Sequence, residues 1–317
     1  MSTIATPMTF AALGVPDDLI AALRGQGVDT PFAVQAATVP DGIAGNDLCC
    51  RAPTGSGKTL AFGIAMVARV SKAAPHKPTG LVLVPTRELA IQVTRALVPM
   101  AKARRLWVLA IYGGAPQRIQ VDALRRGASI VVATPGRLTD LLEQRLIDLS
   151  AVEVAVIDEA DRMADMGFLP PVRKILDLVP RNRQTLLWSA TLDGDVDSLV
   201  RYYQRDPVRH ELAPEPADLD RMTHEFVEVE RVAKIGAAAK VLRAHGQGIV
   251  FCRTRHGADR VARQLGQAGV VSAVVHGNRS QAQRERALEA FLRSSGTTSD
   301  TTAPMPPARA VRPERCT

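Results

Sequence analysis

The chain has 317 residues, of which 46% are apolar and 23% charged, enough for about two domains of ~150 residues. That composition excludes a wholly disordered, collagen-like or fibrous protein. Forty Lys and Arg against 32 Asp and Glu leave a net charge of +8, which favours a polyanionic partner.

The N-terminal stretch Met1 to Phe10 has neither a basic leader nor an apolar signal core. No apolar run approaches the ~20 residues needed to span a bilayer, so a cytoplasmic protein without a membrane partner is expected. From about Asp47 to His210, short apolar runs alternate with helical patterns. The first run, Asp47-Leu-Cys-Cys-Arg51, puts Cys49 and Cys50 on opposite faces of a strand. With Cys252 and Cys316 they form no Cys-x-x-Cys pair, and neither a disulfide framework nor a zinc site is expected.

Next comes Ala52-Pro-Thr54-Gly55-Ser56-Gly57-Lys58-Thr59, between a strand and a helix. Glycines let a backbone turn with its N–H groups inward, so that they cradle the phosphates of a nucleotide. Lys58 is placed to reach the β- and γ-phosphates, the Thr59 hydroxyl to ligate Mg2+, and the helix adds its positive dipole end. Further strands are predicted at Leu81–Val84, Leu106–Ile111, Ile130–Ala133, Val152–Ile157 and Thr185–Trp188. Several are apolar on both faces, as in parallel strands covered by helices on two sides. Leu89, Val93, Ala96 and Leu97 form an amphipathic helical stripe. The alternation predicts an α/β domain with a mostly parallel sheet.

The run Val154-Ala-Val-Ile157 leads into Asp158-Glu159-Ala160-Asp161. A buried strand ending in Asp delivers a carboxylate to the edge of the sheet where ligands bind in open α/β folds. Asp158 is therefore expected to hold Mg2+ through water, and Glu159 to orient or deprotonate the attacking water. From Arg205 to Leu219 three prolines and several charges interrupt all periodicity, predicting a linker over 208–220. The α/β pattern then restarts, with strands expected at Gly248–Cys252 and Val270–His276 around a helix bearing Ala258, Val261, Ala262 and Leu265. The segment 294–317 is rich in Ser, Thr, Pro and Arg and is expected to be disordered.

These motifs, in order and spacing from Phe10 to about Arg293, resemble the DEAD-box ATP-dependent RNA helicases of superfamily 2. The resemblance implies a RecA-like P-loop domain, a parallel sheet flanked by helices, over 1–207, and a truncated second RecA-like domain over 221–293. It implies ATP and Mg2+ as cofactors, with Lys58, Asp158 and Glu159 catalytic. Gln35, in Pro31-Phe-Ala-Val-Gln35, would read the adenine edge, and Phe10 would be the upstream aromatic of the same element. The family's aromatic after the element's glycine is absent, since Val28 follows Gly27, and Ala52 stands where the phosphate loop usually begins with Gly.

By the same resemblance Pro85-Thr86-Arg87, Gly113-Gly114 and Thr134-Pro135-Gly136-Arg137 contact RNA phosphates, in backbone-directed, sequence-tolerant binding. Only 4% of the chain is aromatic, which argues against base stacking as the main mode of RNA binding. Ser189-Ala190-Thr191 would couple nucleotide state to closure through its hydroxyls, although either hydroxyl also suits a helix cap. Ile249-Val-Phe-Cys-Arg-Thr254, His276-Gly-Asn and Gln281-Ala-Gln-Arg284 match second-domain motifs. The family's arginine-finger motif, of the His-Arg-x-Gly-Arg type, does not occur in the 317 residues, which implies impaired hydrolysis and unwinding. Two other readings remain: a non-enzymatic ATP- and RNA-binding fragment of a disrupted gene, and a DNA translocase of the same superfamily.

Overall fold

The computed structural model describes residues 8–192, 194–212, 223 and 225–294, and the chain divides between residues 224 and 225 into two units. In the first unit, helices α1 (Asp17–Arg24) and α2 (Ala33–Ala44) precede a regular alternation of strand and helix. It runs β1 (Leu48–Arg51), α3 (Lys58–Arg69), β2 (Gly80–Leu83), α4 (Arg87–Ala103), β3 (Val108–Ile111), α5 (Gln117–Arg125), β4 (Ile130–Ala133) and α6 (Pro135–Glu143). It continues through β5 (Val154–Ile157), α7 (Ala160–Asp165), α8 (Leu169–Asp177), β6 (Gln184–Ser189), α9 (Gly194–Tyr203) and β7 (Val208–Glu211).

The seven strands form one sheet in the order β3-β4-β2-β5-β6-β1-β7, and every pairing is parallel. Side chains alternate across it. Cys50, Val82, Val132, Val156 and Trp188 enter one core, with residues of α1 to α4. Cys49, Leu83, Val131, Ile157 and Leu187 enter the other, with residues of α5 to α9. The two adjacent cysteines do lie on opposite faces, and burial pushes both thiols up, Cys50 to about 12. Both are therefore inert as nucleophiles.

One boundary shifts. Residues 208–211, expected at the start of a linker, form β7 and pair with β1. Buried Asp47 sets this up: its carboxylate accepts the N–H groups of Thr185 and Arg205, each at 2.7 Å. Gln204 adds an amide hydrogen bond to the Leu48 carbonyl at 2.6 Å. These side-chain bonds steer the chain into the sheet edge although its residues alternate only weakly. Residues 213–220 of the expected linker and the tail after 294 lie outside the described residues.

The second unit contains helices Lys234–His245, Arg255–Gln267 and Gln281–Ser294. The helix expected around Ala258 to Leu265 is present, and the Thr254 hydroxyl caps it by accepting the Gly257 N–H at 3.0 Å. The two expected strands are not formed. Residues 248–252 and 270–276 have no sheet partner among the described residues, and Phe251 and Val271 are almost fully exposed. An apolar run becomes a strand only where a neighbour takes its N–H and C=O groups, and neither run finds one here. Among the described residues no helix is long and apolar enough to cross a membrane.

Candidate functional site

After β1 the chain turns through residues 52–57 and enters α3 at Lys58. Gly55 and Gly57 make the turn in the left-handed region, at φ +86° and +91°. Ala52, the departure from the family pattern, is buried in the core. Its N–H donates to the Ser189 carbonyl at 3.1 Å, tying the loop's first residue to β6. Ser56 Oγ donates to the Pro53 carbonyl at 2.8 Å. Buried Lys58 folds back over the loop and donates from Nζ to the Ala52 carbonyl at 3.0 Å. Thr54 and Gly55 are exposed, and Ser56 and Thr59 half-buried.

Gly57 admits no side chain. A Cβ there would lie 2.7 Å from Gln35 Nε2 and 2.8 Å from Phe32 Cδ2. Gly57→Ala is expected to lower stability by ~1–3 kcal/mol through left-handed strain alone, read from urea unfolding. Its nucleotide affinity should fall in parallel; a variant as stable as the parent would show that the loop relaxes freely.

Asp158 follows β5 and is 3% exposed. Burial pushes its carboxyl up to about 6; the Lys58 ammonium opposes the rise, and Glu159 and Asp161 add to it. Glu159 sits in the left-handed region at φ +52°, unusual for a residue with a side chain, and its N–H donates to Asp158 Oδ1 at 3.0 Å. The Glu159 carboxylate pairs with Arg162 at 3.1 Å, a partner that sequence reasoning did not single out.

Asp161 links this segment to β6. Its N–H donates to Ser189 Oγ at 3.1 Å, and its carboxylate accepts the Ala190 N–H at 3.3 Å. Neither bond joins a hydroxyl to a carboxylate: the Ser189 hydroxyl meets the Asp161 backbone, the carboxylate takes a backbone N–H, and Thr191 is exposed.

Phe10 is 2% exposed and packs in the core with Leu13 and Val15. A large ring beside an apolar sheet face is driven into that face, and here it anchors the chain ahead of α1. Gln35 is wholly buried: Oε1 accepts the Phe32 N–H at 2.9 Å, and Nε2 donates to the Gly57 carbonyl at 3.1 Å. Its amide thereby joins the start of α2 to the glycine turn. Sequence reasoning missed Phe32, which is 61% exposed beside Gly57. The available signal was its position ahead of a helix, where a small polar residue is usual.

The loops expected at RNA phosphates follow β2, β3 and β4. Thr86 Oγ1 accepts the Leu89 N–H at 3.2 Å and caps α4, after buried Pro85. The Arg87 guanidinium lies against the glycine pair, so close that a Cβ at Gly114 would fall 2.5 Å from Nη1 and one at Gly113 3.4 Å from Nη2. Thr134 and Pro135 are buried at the start of α6, Gly136 is exposed, and Arg137 Nη1 donates to the Ala115 carbonyl at 3.3 Å. In the second unit, His276 Nδ1 accepts the Asn278 N–H, so Nε2 carries the proton and donates to Asp259 at 3.1 Å. Arg279 pairs with the same carboxylate at 2.6 Å and, with His276, holds it below the usual range.

Because all strands are parallel, every one of the first unit's loops named here lies at one edge of the sheet, beyond its strand C-termini. Strand order separates them into two sets. The loops after β3, β4 and β2 form a neutral-to-basic group, and those after β5, β6 and β1 hold Asp158, Ser189 and the phosphate loop.

Residues 32–199 match the family model for the DEAD/DEAH box helicase. The chain is 39% identical over 293 residues to the ATP-dependent RNA helicase DeaD of Mycobacterium tuberculosis (strain CDC 1551 / Oshkosh), covering 92% of this chain and 52% of that protein. It is 35% identical over 286 residues to the DEAD-box ATP-dependent RNA helicase CshA of Bacillus subtilis (strain 168), covering 90% and 58%. The chain thus spans about half the length of these curated relatives. A crystal structure of a DEAD box protein from Methanococcus jannaschii superposes with a TM-score of 0.61 at 30% identity, over 91% of this chain and 78% of that one.

Proposed function

The chain belongs to the DEAD/DEAH box helicase family, and from that premise we propose that its first unit binds Mg-ATP on residues 52–59 and the RNA backbone on the loops holding Arg87, Gly113, Gly114 and Arg137. Hydrolysis of the bound ATP is coupled to RNA engagement and local strand separation. The observation that carries this reading is the division of one sheet edge into an acid-containing nucleotide half and an arginine-and-glycine half.

Binding of the triphosphate draws on the N–H groups of the glycine turn and the start of α3. The Lys58 ammonium exchanges the Ala52 carbonyl for phosphate oxygens, a stronger, charge-assisted partner. The residues present suit Mg2+: the Thr59 hydroxyl and the Asp158 carboxylate are hard oxygen donors, and Asp158 is a buried acid with little compensating charge. Among the described residues no group of three or more His, Cys, Asp or Glu is arranged to hold a metal ion, and a cation there would be held largely by phosphate and water. Held by these oxygens, Mg2+ would supply neutralisation of phosphate charge. Glu159, held in the left-handed turn, orients the attacking water and receives its proton.

On the other half, Arg87 and Arg137 supply guanidinium forks, and Gly113, Gly114 and Gly136 bare backbone N–H groups. Neither set reads bases, so RNA binding is sequence-tolerant. The Asp161 bonds to Ser189 and Ala190 carry displacement of the acid segment into β6.

ATP turnover measured with and without single-stranded RNA tests this function. RNA is expected to stimulate turnover more than DNA of the same length, and equal rates with and without RNA would overturn the coupling. Glu159→Gln should retain Mg-ATP affinity while hydrolysis falls ~10²–10⁴-fold. A turnover close to that of the parent would remove Glu159 from the mechanism.

A further inference from the structure

We propose that the opposite edge of the sheet, at the strand N-termini, carries a second RNA contact. A base of the strand flanking the first contact stacks there on Trp107, and its phosphates meet Lys102, Arg105 and Arg126. The proposal rests on the reading of the chain as RNA-binding and extends it to a face that carries none of the sequence motifs.

Trp107 lies between α4 and β3, at the N-terminal end of the outermost strand. It is 37% exposed, whereas Trp188, the other tryptophan, is wholly buried. The sheet fixes its backbone, since its carbonyl accepts the N–H groups of Ser129 and Ile130 at 2.8 and 3.0 Å. The Arg126 guanidinium lies over the indole, 4.7 Å from the ring centre, and its Nε donates to the Asp122 carbonyl at 3.3 Å. A seated, partly exposed indole beside a guanidinium suits an unpaired base and the phosphates on either side of it.

The charges around the ring are unevenly committed. Arg104 serves the fold, donating to Asp18 at 2.9 Å and to the Ala68 carbonyl at 2.8 Å. Arg125 pairs with Asp122 at 3.3 Å. Lys102, Arg105 and Arg126 are exposed and enter no ion pair among the described residues. Arg105 stands in the left-handed region at φ +55°, in the tight turn from α4 into β3. Lys102 and Arg126 lie at the ends of α4 and α5, where a positive side chain also suits the helix dipole. The dipole accounts for those charges but not for an exposed indole held among them.

Trp107 and Gly113 stand at opposite ends of β3, about 20 Å apart at the rise of an extended chain. An RNA engaged at Gly113 and Gly114 therefore meets Trp107 only when it extends well past that first contact.

The test measures affinity of the full chain for two single-stranded RNAs, of about 5 and about 16 nucleotides. Trp107→Ala is expected to weaken the longer RNA roughly 5–100-fold and to leave the shorter one unchanged. Trp107→Phe, which keeps a ring, should bind both like the parent. Indole emission of the parent should be quenched by the longer RNA only. Arg105→Glu should flatten the salt dependence for the longer RNA, and Arg181→Glu, an equal charge change at an exposed site before β6, should not.

Unchanged binding of the longer RNA in Trp107→Ala would overturn the proposal. So would an equal loss of both RNAs, which would make the indole a prop for the fold. Equal effects of Arg105→Glu and Arg181→Glu would reduce the face to general attraction of charge and overturn it as well. Binding of phosphatidylserine vesicles that Arg105→Glu abolishes, with both RNAs unaffected, would give the face to an anionic membrane instead. Failure of the underlying reading looks different: parent and Arg87→Ala would then bind the shorter RNA equally.

Discussion

Lys58→Ala is expected to weaken Mg-ATP binding by ~10–100-fold, as measured by titration calorimetry on the full chain. The side chain is buried and its ammonium already holds the loop through the Ala52 carbonyl. Its loss removes a charge-assisted contact to phosphate, worth ~1.5–3 kcal/mol. A second effect follows from its neighbour. Lys58 is the group that offsets the burial of Asp158, so without it the carboxyl should titrate still further above its ordinary value. An ATP affinity matching the parent's would remove the nucleotide site from the fold altogether.

Asp158→Asn is expected to raise stability at neutral pH. The folded carboxyl titrates at about 6 and the unfolded one at the ordinary 3.8. Between those values the folded chain holds a proton that the unfolded chain has released, so stability falls as pH rises from ~4 to ~6 and stays low above that. Asparagine removes the titration, and its Oδ1 still accepts the Glu159 N–H. Urea unfolding between pH 4 and 8 should find the variant more stable above pH 6, by on the order of 2–3 kcal/mol, and flat across the range. The same variant should lose Mg-ATP turnover. A parent whose stability did not fall between pH 4 and 6, or a variant less stable than it at pH 7, would show that Asp158 is not strained by burial.

Much of the first unit was legible without coordinates because its signals are local. Apolar runs such as Ile130–Ala133 are strands in a buried parallel sheet at the expected places, and Gly55 and Gly57 carry the positive φ that a phosphate loop demands. Asp158 stands at the strand end where the pattern put it. The second unit shows the limit of the same signals. The apolar runs Gly248–Cys252 and Val270–His276 read like strands, yet pairing depends on a partner segment that periodicity does not reveal. The helix between them, whose hydrogen bonds are internal, formed as expected.

Whereas the arginines and glycines beyond the other strand ends were singled out only by the resemblance, composition and spacing by themselves indicated the α/β class, the glycine-rich loop before α3 and the acid segment. Those features depend on bonds between residues close in the chain. Tertiary structure alone decided which aromatic faces solvent, Phe32 rather than Phe10, and that Gln35 serves as a latch. It alone placed β7 in the sheet and divided one edge into two halves. Exposure and strand order arise from contacts between segments far apart in sequence, where burial of one ring or pairing of one strand depends on every neighbour at once.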